Sequence, residues 1–95
     1  MKITRHLRIS GRVQGVGYRA ALCAAAEAGG IFGWVRNRRD GGVEALVQGT
    51  PEAVEKILEW AKRGPPGAHV TGIKTQAAET GSDQPYSGFD CLPTA

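Results

Sequence analysis

The sequence has few of the residues from which metal centres and disulfide frameworks are built. Its 95 residues include two cysteines and two histidines, and these do not stand at the clustered spacings that bind zinc or other transition metals. We therefore expect no metal and no cofactor. Cys23 and Cys91 are interpreted as small buried thiols, and His6 and His69 as surface residues. No Ser-His-Asp or Cys-His catalytic grouping is suggested.

Long apolar runs are also missing. No stretch approaches the roughly 20 apolar residues that cross a bilayer, and the first residues lack the apolar core of a signal peptide. We therefore expect a cytoplasmic protein without membrane contacts. A length of 95 residues with 41% hydrophobic and 22% charged residues predicts a single globular domain over residues 1–95, and we expect a monomer.

Acidic residues are almost absent from the first part of the chain. Residues 1–39 hold eight Lys and Arg against Glu27 alone, a net charge of +7, whereas residues 40–95 hold four basic and eight acidic residues, a net charge of −4. A positive half favours a small anionic ligand or, more weakly, a nucleic acid. Apart from Arg19, each of these arginines is interpreted as a solvated surface charge.

Glycine is concentrated in the stretch Gly11-Arg-Val-Gln-Gly-Val-Gly-Tyr-Arg19. Glycine reaches left-handed dihedrals without steric cost, so this segment can turn its backbone N–H groups towards a ligand. A predicted helix begins directly after the glycines, and helix N-termini attract anions through unpaired N–H groups and the positive end of the dipole. That dipole repels Arg19 in the first helical turn unless an anion is bound there. We interpret the stretch as an oxyanion site.

The hydrophobic periodicity predicts a β-α-β-β-α-β order followed by a short strand. Strands are predicted over residues 5–13, 31–37, 43–48 and 70–77, with a final edge strand at Phe89 and Cys91. In the fourth strand Val70 and Ile73 do not share a face, so we expect a bulge or a two-sided environment there. Residues 80–88 are polar and are predicted to form a loop.

Two helices complete this pattern. The first is predicted over residues 18–28, with a stripe of Ala21, Leu22, Ala25 and Ala28. The second is predicted to be capped by Thr50, to begin at Pro51 and to end at Gly64.

This element order is typical of the ferredoxin-like α+β sandwich, in which two helices cover one face of a mostly antiparallel sheet. We expect the first strand–helix–strand unit to form a right-handed crossover that sets the second strand beside the first. The parallel strand ends would then bring Asn37 close to the glycine stretch and Arg19. Asparagine is also a common turn former, so the spacing leaves open whether Asn37 is functional or only begins the next hairpin.

The glycines match neither common nucleotide-binding motif. A Walker loop needs Lys and then Ser or Thr after the last glycine, and the dinucleotide fingerprint needs a third glycine where Ala20 stands. A structural strand–helix turn also accounts for such a stretch when it is considered alone.

Together, the segment from Gly11 to Arg19, the segment Gly33-Trp-Val-Arg-Asn37, the run Asp40-Gly-x-Val-Glu-Ala and Gln48-Gly49 resemble the acylphosphatase family. The resemblance extends from Arg5 to Phe89. It implies the ferredoxin-like fold and an enzyme that hydrolyses the mixed anhydride between a carboxylic acid and phosphate.

The resemblance also implies the site residues. The phosphate-binding loop would consist of Gln14, Gly15, Val16, Gly17, Tyr18 and Arg19. Arg19 would bind the phosphoryl oxygens and Asn37 would orient the attacking water, without a metal. The ligands would be a small acyl phosphate and inorganic phosphate, with no nucleic acid. Arg38 departs from the pattern, because animal relatives carry a hydroxyl residue there, and this bears on how Asn37 is held.

An acyl phosphate suits a site that has neither a metal nor an obvious base. Its leaving carboxylate has a pKa near ~4 and departs without a general acid. Backbone N–H groups and a bidentate guanidinium can stabilise the charge on the phosphoryl oxygens. An amide side chain can hold a water molecule in line by donating and accepting hydrogen bonds.

Two alternatives from other functional classes stay open at this point. The fold also occurs in RNA-binding modules, which stack bases on aromatic residues of the central strands. The first and third strands, residues 7–13 and 43–48, contain no aromatic residue, which argues against this class. The second alternative is an acylphosphatase-like module that handles acyl or carbamoyl phosphate within a larger system.

Overall fold

The computed structural model describes residues 2–78 and 87–95, and within these ranges the chain forms five strands and two helices in the predicted order. The strands are β1 (Ile3–Arg12), β2 (Phe32–Asn37), β3 (Val43–Gly49), β4 (His69–Ala77) and β5 (Phe89–Cys91). The helices are α1 (Tyr18–Ala28) and α2 (Pro51–Arg63). Of the loop predicted over residues 80–88, all but the last two residues lie outside the described ranges.

The strands form one sheet in the order β4-β1-β3-β2-β5, which is the ferredoxin-like arrangement with one added edge strand. All neighbours are antiparallel except β2 and β5. The expectation that the second strand lies beside the first is wrong, because β3 pairs with both β1 and β2 and lies between them. Since β1 and β2 each run antiparallel to β3, they are parallel to each other and end at the same edge of the sheet.

The hydrophobic core lies between the sheet and the two helices. Helix α1 covers β2 and β5, and α2 covers β1, β3 and β4. Alternate strand residues meet both helices in a single cluster that includes Leu7, Ile9, Val35, Val43, Ala45, Val47, Leu22, Val54 and Ile57. Each fully buried valine, leucine or isoleucine side chain of this cluster contributes roughly 1.5–3 kcal/mol of transfer free energy.

The predicted stripe on α1 is partly wrong. The buried residues are Tyr18, Leu22 and Ala26, whereas Ala28 is exposed. Tyr18 is the largest side chain of this helix. Its burial places Tyr18, Leu22 and Ala26, which are spaced four residues apart, on the face that packs on the sheet. Alanine-rich helices have little else to fix their rotation.

The expected bulge in the fourth strand is confirmed. Ser10 pairs with Gly72 and Gly11 with Val70, so Thr71 is an extra residue on β4. The bulge resets the alternation, and Val70 and Ile73 both pack against the core. Gly11 has φ 120° here, and a Cβ at this position would lie 2.2 Å from the His69 carbonyl oxygen.

Helix α2 begins and ends as predicted. The Thr50 side chain accepts a hydrogen bond from the Ala53 N–H at 3.1 Å, Pro51 occupies the first turn, and Gly64 follows the last helical residue. Within residues 2–78 and 87–95, neither helix is long and apolar enough to span a membrane.

Candidate active site

The turn between β1 and α1 has the backbone shape that the glycines predict. Gly15 and Gly17 adopt left-handed dihedrals, with φ values of 76° and 77°. Gly17 is also the residue before α1, where no side chain of the described residues caps the helix and the first turn contains no acidic residue. The first N–H groups of a helix have no intrahelical partner. This turn therefore presents backbone donors and the positive end of the α1 dipole.

A cleft of about 200 Å³ opens at this turn. It is lined by Val13, Gln14, Gly15, Gly17, Tyr18, Arg19, Ala20 and Asn37. Asn37 reaches the cleft because β2 ends at the same sheet edge as β1, although the two strands are not neighbours. Of the predicted site residues, Val16 alone does not line the cleft. Its side chain packs against the core.

Arg19 is held at the N-terminus of α1 by the segment that follows β5. The side chain is partly buried, and its Nη1 donates to the Leu92 carbonyl oxygen at 3.0 Å. Leu92 is fixed in turn, because its N–H donates to the Val35 carbonyl oxygen at 2.8 Å. A guanidinium carries five N–H donors, so this contact positions Arg19 and leaves donors for a ligand.

Asn37 contributes a hydrogen-bond acceptor that no described residue satisfies. Its backbone is fixed, since Asn37 pairs with Val43 on β3 and its carbonyl oxygen accepts from the Ala95 N–H at 3.0 Å. Its side-chain Oδ1 is buried and has no hydrogen-bond partner in the described part of the chain. An unsatisfied buried acceptor costs about 1–3 kcal/mol. Because the atom is closed off from solvent, a water molecule in the cleft would reach it only after the carboxamide turns towards the cleft.

Gln14 has a role that the sequence did not indicate. Its Nε2 donates to the Arg38 carbonyl oxygen at 2.6 Å and to the Gly42 carbonyl oxygen at 2.8 Å. The side chain thus ties the glycine turn to the β2–β3 hairpin, whose first strand ends in Asn37. The side-chain nitrogen of Gln14 is occupied by these two carbonyl oxygens, so its backbone N–H is the donor that remains for phosphate. No local sequence signal marks such a contact, which spans more than 20 residues.

Tyr18 anchors the other end of the turn. Its ring is buried, and its hydroxyl donates to the Ala61 carbonyl oxygen of α2 at 2.7 Å. Burial raises the pKa of the Tyr18 phenol far above its ordinary value. The side chain is therefore a neutral packing group, and its backbone is the part that belongs to the loop.

The charges near Asn37 are arranged around a buried carboxylate. Glu44 Oε1 lies 2.8 Å from Arg36 Nε and 3.4 Å from Arg38 Nη1, and its Oε2 lies 2.6 Å from His6 Nε2. Burial opposes ionisation of Glu44, but the hydrogen bonds from His6 and Arg36 outweigh it and hold its pKa below the ordinary value. Arg36, Arg38 and His6 are therefore not the solvated surface residues that the sequence predicted. His69 is exposed as predicted.

Neither of the two cysteines lines the cleft. Cys23 is partly buried, whereas Cys91 is exposed, so the interpretation of buried thiols is wrong for Cys91. Edge strands leave one side open to solvent, and β5 is such a strand. Within residues 2–78 and 87–95, no group of three or more His, Cys, Asp and Glu residues could hold a metal ion.

The family model, the curated relatives and the solved structures at 30% identity or more point to one family. A family model described as Acylphosphatase matches residues 5–91. The acylphosphatase of Azoarcus sp. (strain BH72) is 54% identical over 91 residues, covering 95% of this chain and 89% of the relative. That of Thiobacillus denitrificans is 54% identical over 87 residues, covering 92% and 93%. The solved structure of acylphosphatase from Bacillus subtilis is similar with a TM-score of 0.89 at 33% identity, covering 97% of this chain and 99% of that chain.

Proposed function

The chain belongs to the acylphosphatase family, and from this membership we propose how its cleft performs the reaction of that family. The enzyme hydrolyses the carboxyl–phosphate bond of acyl phosphates to a carboxylate and inorganic phosphate. The resemblance inferred from the motifs is thereby confirmed. The roles of individual residues and the independence from metal are our proposal.

The phosphoryl group binds at the β1–α1 turn. Backbone N–H groups of the segment from Gln14 to Arg19 contact its oxygens, supported by the left-handed Gly15 and Gly17 and by the uncapped N-terminus of α1. The Arg19 guanidinium, already positioned by Leu92, makes a two-pronged contact with two of these oxygens. These donors stabilise the charge on the equatorial oxygens through a loose transition state.

Asn37 holds the attacking water. The observation that carries this assignment is that Asn37 lines the same cleft as Arg19. Its Oδ1 has no partner among the described residues and would accept from a water once the carboxamide turned towards the cleft. A water that donates to Oδ1 keeps a lone pair for attack on phosphorus. Asn37 orients this water without taking its proton, because a neutral amide is not a base at ordinary pH.

The proposed hydrolysis needs no further catalytic group. The leaving carboxylate has a low pKa and departs without protonation by the enzyme. A phosphoryl oxygen of the substrate accepts the proton of the attacking water. The two products are therefore formed with the side chains of Arg19 and Asn37 unchanged, and the reaction proceeds without a metal.

One substitution tests the proposed phosphate contact. Arg19→Lys keeps the positive charge but replaces a planar fork by a point charge, so kcat/KM for benzoyl phosphate should fall by about 100-fold or more. Arg63→Lys, on the exposed last turn of α2, is the matched control and should retain wild-type turnover. Wild-type activity of Arg19→Lys would exclude the bidentate contact. Activity abolished by a chelator would exclude the metal-free reaction.

We further propose that the enzyme acts as a monomer in the cytoplasm and does not bind nucleic acid. All groups of the cleft come from one chain, and the two cysteines are free thiols, which suits a reducing compartment. On the sheet face opposite the helices, Lys2 lies over the Phe32 ring and Arg36 over the Trp34 ring. These aromatic faces are occupied by side chains of the protein itself, which disfavours base stacking. Sedimentation and a titration with single-stranded RNA at low salt test these points.

A further inference from the structure

Two cysteines that the proposed mechanism does not use lie where α1 packs on β5. Cys23 lies one turn after Arg19 and packs against the core, with its Sγ 3.7 Å from the Phe89 carbonyl oxygen. The buried Phe89 faces the helices, and side chains alternate along a strand, so Cys91 faces the helices too. Helix α1 packs directly on β5, so the Cys23 thiol lies against the strand that carries Cys91. Cys23 and Cys91 thus both belong to the α1–β5 contact, one on the helix and one on the strand.

We propose that Cys23 and Cys91 form a thiol-modification site, at which exchange with a low-molecular-weight disulfide closes an intramolecular disulfide between α1 and β5. The Cys91 thiolate attacks one sulfur of glutathione disulfide, which forms a mixed disulfide at Cys91 and releases one glutathione. The Cys23 thiolate then attacks the Cys91 sulfur, which forms the Cys23–Cys91 bond and releases the second glutathione. The protein loses two electrons and two protons, and glutathione disulfide gains both.

The surroundings of the two thiols set this order. Cys91 is exposed and can meet a solute, whereas Cys23 is partly buried. Burial, and after it the charges of Cys91 and Glu27, raise the pKa of the Cys23 thiol to about 11. The Cys23 Sγ also donates to Glu27 Oε1 at 3.7 Å, which favours the protonated thiol. Cys23 therefore reacts second, after the Cys91 sulfur has become an electrophile at its side.

The cross-link would act on the contact that positions Arg19. Leu92, whose carbonyl oxygen accepts from Arg19, directly follows Cys91, and Arg19 precedes Cys23 by one helical turn. A Cys23–Cys91 bond would thus fasten both sides of this contact. It would also close a long loop in the unfolded chain. We therefore expect the oxidised enzyme to keep its turnover and to keep it at higher temperature.

The experiment treats the reduced full-length chain with excess glutathione disulfide under native conditions, followed by alkylation of free thiols. We expect a product lighter by two hydrogen atoms, with a Cys23–Cys91 cross-linked peptide after proteolysis. Its Tm should rise by roughly 10 °C or more. Its hydrolysis of benzoyl phosphate at 25 °C should stay within about twofold of the reduced enzyme.

Two single variants separate the steps. Cys23→Ser should stop at one glutathione adduct on Cys91, and Cys91→Ser should react far more slowly; neither variant should gain thermal stability. Wild-type protein that accumulates stable glutathione adducts, or that stays a free dithiol in excess glutathione disulfide, would overturn the proposal. A disulfide that forms without raising Tm would overturn its link to the α1–β5 contact.

Discussion

The side chains of Arg19 and Gln14 in the cleft have main-chain hydrogen-bond partners, whereas the carboxamide oxygen of Asn37 has none among the described residues. Arg19 donates to the Leu92 carbonyl oxygen, and Gln14 donates to two carbonyl oxygens of the β2–β3 hairpin. Asn37 Oδ1 is buried and unsatisfied within the described part of the chain. Main-chain partners give fixed positions, and the residue that carries the unsatisfied acceptor lines the cleft where the proposed water binds. The unsatisfied acceptor thus destabilises the folded protein by about 1–3 kcal/mol at a position that the proposed reaction uses.

The Gln14 contact should matter for turnover more than for phosphate binding. Gln14→Met keeps the length of the side chain but removes both hydrogen bonds to the hairpin that carries Asn37. We expect kcat for benzoyl phosphate to fall by about 10-fold or more, because the water and the phosphoryl group lose their alignment. The inhibition constant of inorganic phosphate should change much less, since Arg19 and the backbone donors remain.

Steady-state kinetics with phosphate as competitor measure both quantities. Gln76→Met, at an exposed position of β4, is the matched control. A Gln14→Met enzyme with wild-type kcat would show that the turn holds its position without this contact.

The β1–α1 unit is the element that builds the proposed anion site. Its turn combines two left-handed glycines with a helix start that carries neither a capping side chain nor an acidic residue. Helices usually begin with such groups, because they satisfy the first N–H groups. Their absence leaves these N–H groups for a ligand, and the buried Tyr18 fixes the direction of the helix through Ala61.

Substitution of Gly17 should therefore affect binding. A Cβ at Gly17 meets no atom within 4 Å, so the strain of Gly17→Ala comes from its φ of +77° alone and amounts to about 1–2 kcal/mol. We expect lower stability by this amount and weaker phosphate binding, as the turn shifts to relieve the strain. Isothermal titration with phosphate and thermal unfolding measure the two effects.

Gly72→Ala, on β4, is the matched control, because Gly72 also has open space but no positive φ. It should leave phosphate binding unchanged. Equal phosphate affinities for Gly17→Ala and Gly72→Ala would contradict a role for the left-handed turn.

The elements themselves were predictable because their signals are local. Alternation marks β1, and Thr50, Pro51 and Gly64 mark the ends of α2. The position of β3 between β1 and β2 was not predicted, because strand order depends on pairing between distant segments. The face of α1 that packs on the sheet was not predicted either. The burial of Tyr18 determines this face, and the alanines around the helix are too alike to indicate it.

The same distinction applies to the site. The position of Arg19 and Asn37 at one cleft was predictable from the motifs and from two strands that end at the same edge of the sheet. The contacts that hold these residues link Arg19 to Leu92 and Gln14 to Arg38. They depend on the tertiary register of segments far apart in sequence, and no spacing rule indicates them.

Across the whole molecule, charge is organised around Glu44 on the sheet face opposite the helices. The arginines of the basic first part are not uniformly solvated, because Arg36 and Arg38 both contact this buried carboxylate. Removing one partner of a buried charge cluster destabilises a protein more than a surface pair suggests. This cluster joins β1, β2 and β3 through His6, Arg36 and Glu44.

The stability of the enzyme should depend on pH through Glu44. Its folded pKa lies below the ordinary value, so its contribution is present above the unfolded pKa of about 4.3 and is lost as the pH falls through the folded pKa. Glu44→Gln should lower the free energy of unfolding at pH 7 by about 1–3 kcal/mol, and the difference from wild type should shrink below about pH 4.

Urea unfolding between pH 3 and pH 7 measures this difference, with Glu55→Gln on the exposed side of α2 as the control. A difference that stays constant over this range would show that Glu44 acts through packing and not through its charge.

The most direct test of the account is Asn37→Ala, followed by separate measurements of turnover and of phosphate affinity. We predict that kcat for benzoyl phosphate falls by at least about 100-fold, while the Kd of inorganic phosphate stays within about twofold of wild type. Because Oδ1 has no partner in the described part of the chain, thermal stability should be unchanged or higher. Wild-type turnover in this variant, or phosphate affinity lost together with turnover, would contradict the assignment of Asn37 to the attacking water.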